Sequence, residues 1–163
     1  KEEELTMIYV THDQTEALTF ANRVAVMDQG RILQIATPDT IYRQPDHKFV
    51  GSFIGKPGMN FVSAASIRST TPGTGGKKEI GFRPEWAVLS SGQPGDLSGK
   101  VKMTHFTGTT LGEPSGITWV STNAGEIAIK GVLNHHPKEP VEIHLKQYLT
   151  FQNNKRLVAN SDV

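Results

Sequence analysis

The first third of the chain alternates short apolar runs with polar breaks. Met7-Ile8-Tyr9-Val10 is apolar and β-branched and stops at the polar tetrad Thr11-His12-Asp13-Gln14. With Leu5 this predicts a buried strand over residues 5–10. A helix is predicted over residues 13–22. Thr11 stands three residues before Gln14, and Asp13 three before Glu16, so either pair can satisfy free amides as a capping box. Ala17, Leu18 and Ala21 give that helix a narrow apolar face. Strands over residues 23–27 and 31–36 flank Asp28-Gln29-Gly30, a tight turn whose glycine is free to take positive φ. In Thr37-Pro38-Asp39, threonine can cap, proline takes the first helical position and an acid follows, so a short helix is predicted that ends before Pro45. Another, over residues 46–53, presents Phe49, Val50 and Phe53 on one side.

The pattern changes after Gly55-Lys56-Pro57-Gly58, which breaks the helix and sets a boundary. We expect one domain over residues 1–58 and a second over residues 59–163. A strand begins at Asn60, and residues 69–78 form a small-polar, glycine-rich loop. Short strands follow near residues 79–83, 87–89, 97–106, 116–121, 126–131, 141–145 and 148–152. Short strands bounded by turn signals predict a small closed or partly closed barrel. The expected fold class is therefore an α/β remnant followed by a mainly β barrel. No internal repeat is evident, and residues 160–163 read as a frayed end.

Composition adds limits. The 163 residues carry 36% hydrophobic and 20% charged residues, the balance of an ordinary globular chain that is slightly poor in apolar residues. Net charge is +1, and a split at Gly58 leaves −2 before it (six basic, eight acidic) and +3 after (eleven and eight). That is too mild for a nucleic-acid footprint. A single-strand binder would also need a basic groove lined with stacking aromatics. There are no cysteines, which removes disulfides and thiolate metal sites and suits a reducing cytoplasm. No apolar run reaches the roughly 18 residues that span a bilayer. Lys1-Glu2-Glu3-Glu4 has no signal-peptide character and reads as the tail of a helix already under way.

The candidate chemistry centres on His12, at the carboxyl end of the first predicted strand and beside a predicted helix start. Ligands of open α/β sheets gather at such strand ends, and helix N-termini favour phosphates. In its setting, VTHDQTEAL followed by VAVMDQGRILQIATPDTIYRQP resembles the switch-histidine region of ATP-binding cassette (ABC) ATPases, more narrowly the carbohydrate-importer ATPases of the maltose-transporter type. The similarity continues through Phe49-Val50-Gly51-Ser52-Phe53-Ile54-Gly55 to Met59-Asn60-Phe61. It returns at Gly81-Phe82-Arg83-Pro84-Glu85, which resembles the signature of that family's regulatory (TOBE) domain.

The resemblance implies that the chain is the C-terminal part of a transport ATPase: the end of a nucleotide-binding domain plus an oligonucleotide-binding-type (OB) barrel, a fold name with no implication of nucleic-acid binding. It makes His12 the histidine that contacts the γ-phosphate of ATP and helps to position the attacking water. ATP and Mg2+ are implied as cofactors of the whole subunit. The partners implied are a second copy in a homodimer, transmembrane permease subunits and regulatory proteins, on the cytoplasmic face of a bacterial membrane. Uptake of sugars, polyols or glycerol phosphate is the implied task. No G-x-x-x-x-G-K-[ST] loop is present, and Pro72-Gly73-Thr74-Gly75-Gly76-Lys77-Lys78 lacks that spacing, so this chain alone is expected neither to bind ATP tightly nor to hydrolyse it. The strands of residues 1–58 are expected to present unpaired edges. For Gly81, Arg83, Pro84 and Glu85 we expect a structural task, a kinked strand exit with an Arg–Glu polar anchor. His135-His136 before Pro137 is read as a turn rather than a metal pair. Trp86 and Trp119 are expected to pack in or against the barrel. A rival reading makes the β domain a sensor of a small ligand or oxyanion.

Overall fold

The computed structural model of the protein describes residues 6–69 and 77–158. Helix α1 (Gln14–Phe20) is followed by the hairpin β1 (Val24–Asp28) and β2 (Arg31–Ala36), then α2 (Pro38–Arg43) and α3 (Lys48–Phe53). The remainder is β-rich: β3 (Asn60–Ser63), β4 (Lys78–Phe82), β5 (Ala87–Ser90), β6 (Leu97–Thr110), β7 (Glu113–Thr122), β8 (Gly125–Val132), β9 (Pro140–Leu145), β10 (Leu149–Gln152) and β11 (Lys155–Leu157).

Local chemistry sets these boundaries. Asp13 caps α1, its carboxylate accepting from the Thr15 amide at 2.7 Å. Helix α2 starts as its sequence predicts, with Thr37 as cap and Pro38 in the first turn. Helix α3 begins later than residue 46 because the His47 ring caps it, Nδ1 accepting from the Phe49 amide at 3.1 Å. The turn between β1 and β2 places Gln29 and Gly30 at positive φ.

One predicted element is not formed. Residues 6–10 are irregular and exposed, not a strand. A strand is held by a neighbouring strand's amides and carbonyls, and the described residues pair none with this run. Strand β11 goes the other way: three residues too few to read from sequence, held by pairing with β10. Most of the glycine-rich loop over residues 69–78 lies outside the described residues, as do residues 160–163.

All named strand pairings are antiparallel. The hairpin β1–β2 stands apart as a two-stranded sheet, with Val24 and Val26 turned inward and Met27, Ile32 and Ile35 exposed. A four-stranded sheet runs in the order β11-β10-β4-β3, and a five-stranded sheet in the order β5-β9-β6-β7-β8. The outer strands of the larger sheet, β5 and β8, approach each other. Two bulges kink β6, between Val101 and Met103 and between Phe106 and Gly108. The side of β6 opposite β7 is paired by β9 only as far as Lys100.

Two apolar clusters result. Val24, Val26, Ile41, Val50 and Ile54 form the smaller, at the α2–α3 end. The larger fills the space between the β sheets, with Phe82, Trp86, Leu97, Val120, Ile143 and Phe151 among its members. Asn60 stitches the two larger sheets together, its side-chain amide bonding both the N–H and the C=O of Ala128, at 2.9 Å each. Trp86 is buried and Trp119 half-buried.

Candidate functional site

His12 lies exposed in the bend immediately before α1. Its neighbours are fixed by a small local network. The Thr11 hydroxyl accepts from the Asp13 amide at 3.0 Å and donates to Glu16 at 2.8 Å. Asp13 is held below the usual carboxylate range, chiefly by the Thr15 amide. Of the two capping pairs open in the sequence, the structure therefore uses Asp13, and Thr11 engages Glu16 in place of Gln14. Gln14 instead reaches across the chain. Its Nε2 donates to the Phe53 carbonyl at 2.5 Å, and its Oε1 accepts from the Gly55 amide at 3.0 Å.

The signature residues Gly81, Arg83, Pro84 and Glu85 gather well away in sequence, where the β-rich part meets α2 and α3. Arg83 is fully buried. Its Nε and Nη2 both donate to the Tyr42 carbonyl, at 3.1 and 2.7 Å, while Nη1 donates to Gly51 at 3.0 Å and also to Ile54. These carbonyls close the last turns of α2 and α3, where helices leave acceptors without intrahelical partners. The cation also stacks on the Tyr42 ring, 4.2 Å from its centroid. Burial pulls the guanidinium below its ordinary value, and the Tyr42 and Glu85 charges oppose that pull.

The expected Arg–Glu anchor takes a different form. No ion pair joins Arg83 to Glu85 among the described residues; the two grip the same tyrosine instead. The Tyr42 hydroxyl donates to Glu85 at 2.7 Å, and burial together with that carboxylate pushes the phenol up to about 12. A guanidinium surrounded by helix-end carbonyls is satisfied without a carboxylate, which leaves Glu85 free for the phenol. Pro84 is buried in the single helical turn Pro84–Trp86 that carries the chain out of β4.

Gly81 is required by packing. A Cβ there would lie 2.7 Å from Phe151, 2.9 Å from the Met59 sulfur and 2.9 Å from Phe61. Phe61 and Phe151 meet edge-to-face across it, with ring centroids 5.1 Å apart. The same junction is stitched by Lys48 to Glu79 at 2.6 Å and by Arg156 to Asp46 at 3.1 Å. Sequence reading misses Gln14, Tyr42 and Gln34 as junction residues. Gln34 is buried and bonds the Gln44 carbonyl and the Asp46 amide, each at 3.0 Å. Its only sequence signal is a polar side chain inside an otherwise apolar strand.

His135 and His136 lie in the irregular run that leads into a turn at Pro137 and Lys138, and Glu139 organises it. The carboxylate bonds His135 Nδ1 at 2.9 Å and the His136 amide at 2.8 Å, which lowers it to about 2. The described residues hold no group of three or more His, Asp or Glu able to bind a metal. The β-rich part has a cleft of about 500 Å3 lined by Arg68, Ser98, Pro140 and Glu142. Arg68 bonds Glu142 at 2.8 Å, the Gly95 carbonyl at 3.0 Å and Ser98, so its charge is already committed. No helix among the described residues is long and apolar enough to cross a membrane.

No family model matches the chain. YcjV of Escherichia coli K12, described as a putative uncharacterized ABC transporter ATP-binding protein, is 30% identical over 161 residues, covering 85% of this chain and 43% of that protein. The sn-glycerol-3-phosphate import ATP-binding protein UgpC of Vibrio vulnificus CMCP6 is 46% identical over 99 residues, 52% of this chain and 26% of its own. UgpC of Paracoccus denitrificans is 46% identical over 104 residues, 57% of this chain and 29% of its own. By these matches the chain belongs with the ABC transporter ATP-binding proteins and spans less than half the length of the relatives it matches.

Proposed function

We propose that this chain is the C-terminal part of the ATP-hydrolysing subunit of a bacterial ABC importer, with His12 as the histidine that meets the terminal phosphate of ATP. The observation that carries this reading is the similarity to YcjV across 85% of the chain. An exposed His12, in a bend fixed on both sides, supports the role. Imidazole can donate to a phosphoryl oxygen from one nitrogen while the other is held, and phosphoryl transfer depends on positioning and charge stabilisation more than on covalent chemistry. ATP and Mg2+ supply the phosphoryl group and its charge neutralisation, and no residue of this sequence other than His12 is assigned to them.

The chain divides at about residue 58. Residues 1–58 end the nucleotide-binding domain and residues 59–163 form a regulatory barrel of OB type, a division supported by the two apolar clusters. The strand order of the five-stranded sheet and the approach of β5 to β8 support the barrel. In this reading Gly81, Arg83, Pro84 and Glu85 join the two parts. The subunit works as a homodimer on the cytoplasmic face of the membrane, coupled to permease subunits, with regulatory proteins engaging the barrel. The UgpC matches favour glycerol phosphate among the substrates, alongside sugars and polyols.

The test joins this chain to the upstream nucleotide-binding segment of such an ATPase and replaces His12→Ala. Turnover of ATP is expected to fall at least about 100-fold while light scattering still finds the dimer. Unchanged turnover refutes the assignment of His12.

A further inference from the structure

The side chain of Gln14 has no part in the chemistry assigned to His12, yet it makes the longest polar reach of any residue near that histidine. It is the first residue of α1, two positions after His12, and both ends of its amide are used 39 and 41 residues away. The acceptor of its N–H is the Phe53 carbonyl, and the donor to its oxygen is the Gly55 amide. Between these two lies Ile54, whose carbonyl is one of the three that Arg83 holds. Gly55 itself stands at φ +104, a conformation side chains rarely adopt, and a Cβ there would lie 3.2 Å from Arg83 Nη1 and 3.4 Å from the Tyr42 ring. The backbone of residues 53–55 is thus gripped from one side by Gln14 and from the other by Arg83.

We propose that Gln14 is a positioning residue that ties the His12 bend to the segment clamped by Arg83, so that displacement of the β-rich part is felt at the histidine. The bend is internally stiff, because Thr11, Asp13 and Glu16 bond one another, so a pull on Gln14 moves it as a unit. A chain of packed hydrogen bonds of this kind carries coupling in both directions by thermodynamic necessity. A partner that shifts the barrel alters the pose of His12, and occupation of His12 alters the barrel. Regulation of the site in this way rests on the function proposed above, whereas the tie itself does not.

The test is a cycle on the 163-residue chain, read from backbone amide signals by NMR. Arg83→Lys, and the milder Tyr42→Phe, which keeps the ring beneath the guanidinium, perturb the clamp. Each is expected to displace the amide signals of His12 and Asp13. In a Gln14→Leu background the same displacements should shrink at least about threefold, as a double-mutant cycle demands of a coupling residue. Gln14→Glu keeps the acceptor for Gly55 and should restore most of the displacement. Displacements that shrink less than threefold in the leucine background, or that are missing for both perturbations at the outset, overturn the proposal. Because the readout uses no nucleotide, its failure removes the tie alone, while unchanged turnover in the His12→Ala protein removes the assignment of His12 alone.

Discussion

Replacing Arg83 by methionine tests how much of the junction rests on one cation. The variant keeps the apolar stem and removes every donor. The carbonyls of Tyr42 and Ile54 lose their partner, while that of Gly51 keeps the Met59 amide at 3.0 Å. An orphaned buried acceptor costs about 1–3 kcal/mol, so the gross loss for the two is roughly 2–6 kcal/mol. Against this, the variant no longer has to bury a charge, a penalty of several kcal/mol per ion. The cation–π contact over Tyr42 adds about 1 kcal/mol to the loss. The balance is a destabilisation of about 2 kcal/mol, the size expected of a substitution that leaves buried polar groups unpaired. Urea unfolding followed by tryptophan fluorescence reads it, since the Trp86 amide bonds the Arg83 carbonyl at 2.9 Å and the indole is buried nearby. Amide exchange should show α2 and α3 losing protection before β6–β8. A midpoint within about 0.5 kcal/mol of the wild type would place Arg83→Met among ordinary surface substitutions and refute the clamp.

Gly81→Ala inserts a methyl where Phe61, Phe151 and Met59 already meet. Thermal melting should report a loss of about 1–3 kcal/mol from overpacking, and an unchanged melting temperature would mean that the aromatic pair yields freely. Glu139 is lowered from 4.5 to about 2, first by His135 and then by the His136 amide. A carboxylate depressed in the fold stabilises above its unfolded pKa, and the contribution disappears as pH falls through the folded one. Glu139→Gln should therefore melt earlier than wild type at pH 7, with the gap closing between about pH 4.5 and 2. A gap that stays constant through that window would assign the effect to shape rather than charge.

Sequence reading went furthest where the signals are local. Thr37-Pro38-Asp39 fixed the start of α2, and the turn signals after Asn60 located seven strands to within a few residues. It failed at residues 6–10, where an apolar, β-branched run has the composition of a strand without a neighbour among the described residues to complete it. Composition states what a segment can bury, and pairing decides whether it does. The signature Gly81, Arg83, Pro84 and Glu85 was legible as a unit but not its use. Nothing local says that a guanidinium will look for carbonyls 29 to 41 residues upstream, or that Gln14 will prefer residues 53–55 to its own helix end. Long-range polar contacts of that kind leave no periodic trace.

The kinks in β6 have a consequence beyond this molecule. From Lys102 to Thr110 one flank of the ribbon carries no neighbouring strand among the described residues, and Met103 and Phe106 stand exposed along it. A straight, greasy border of that length would invite other chains to zip on and grow into fibres. Two local crimps throw the amides out of line, so an incoming strand finds no continuous row to match. Crowded copies can thus stay separate with a single lysine, Lys102, on the border.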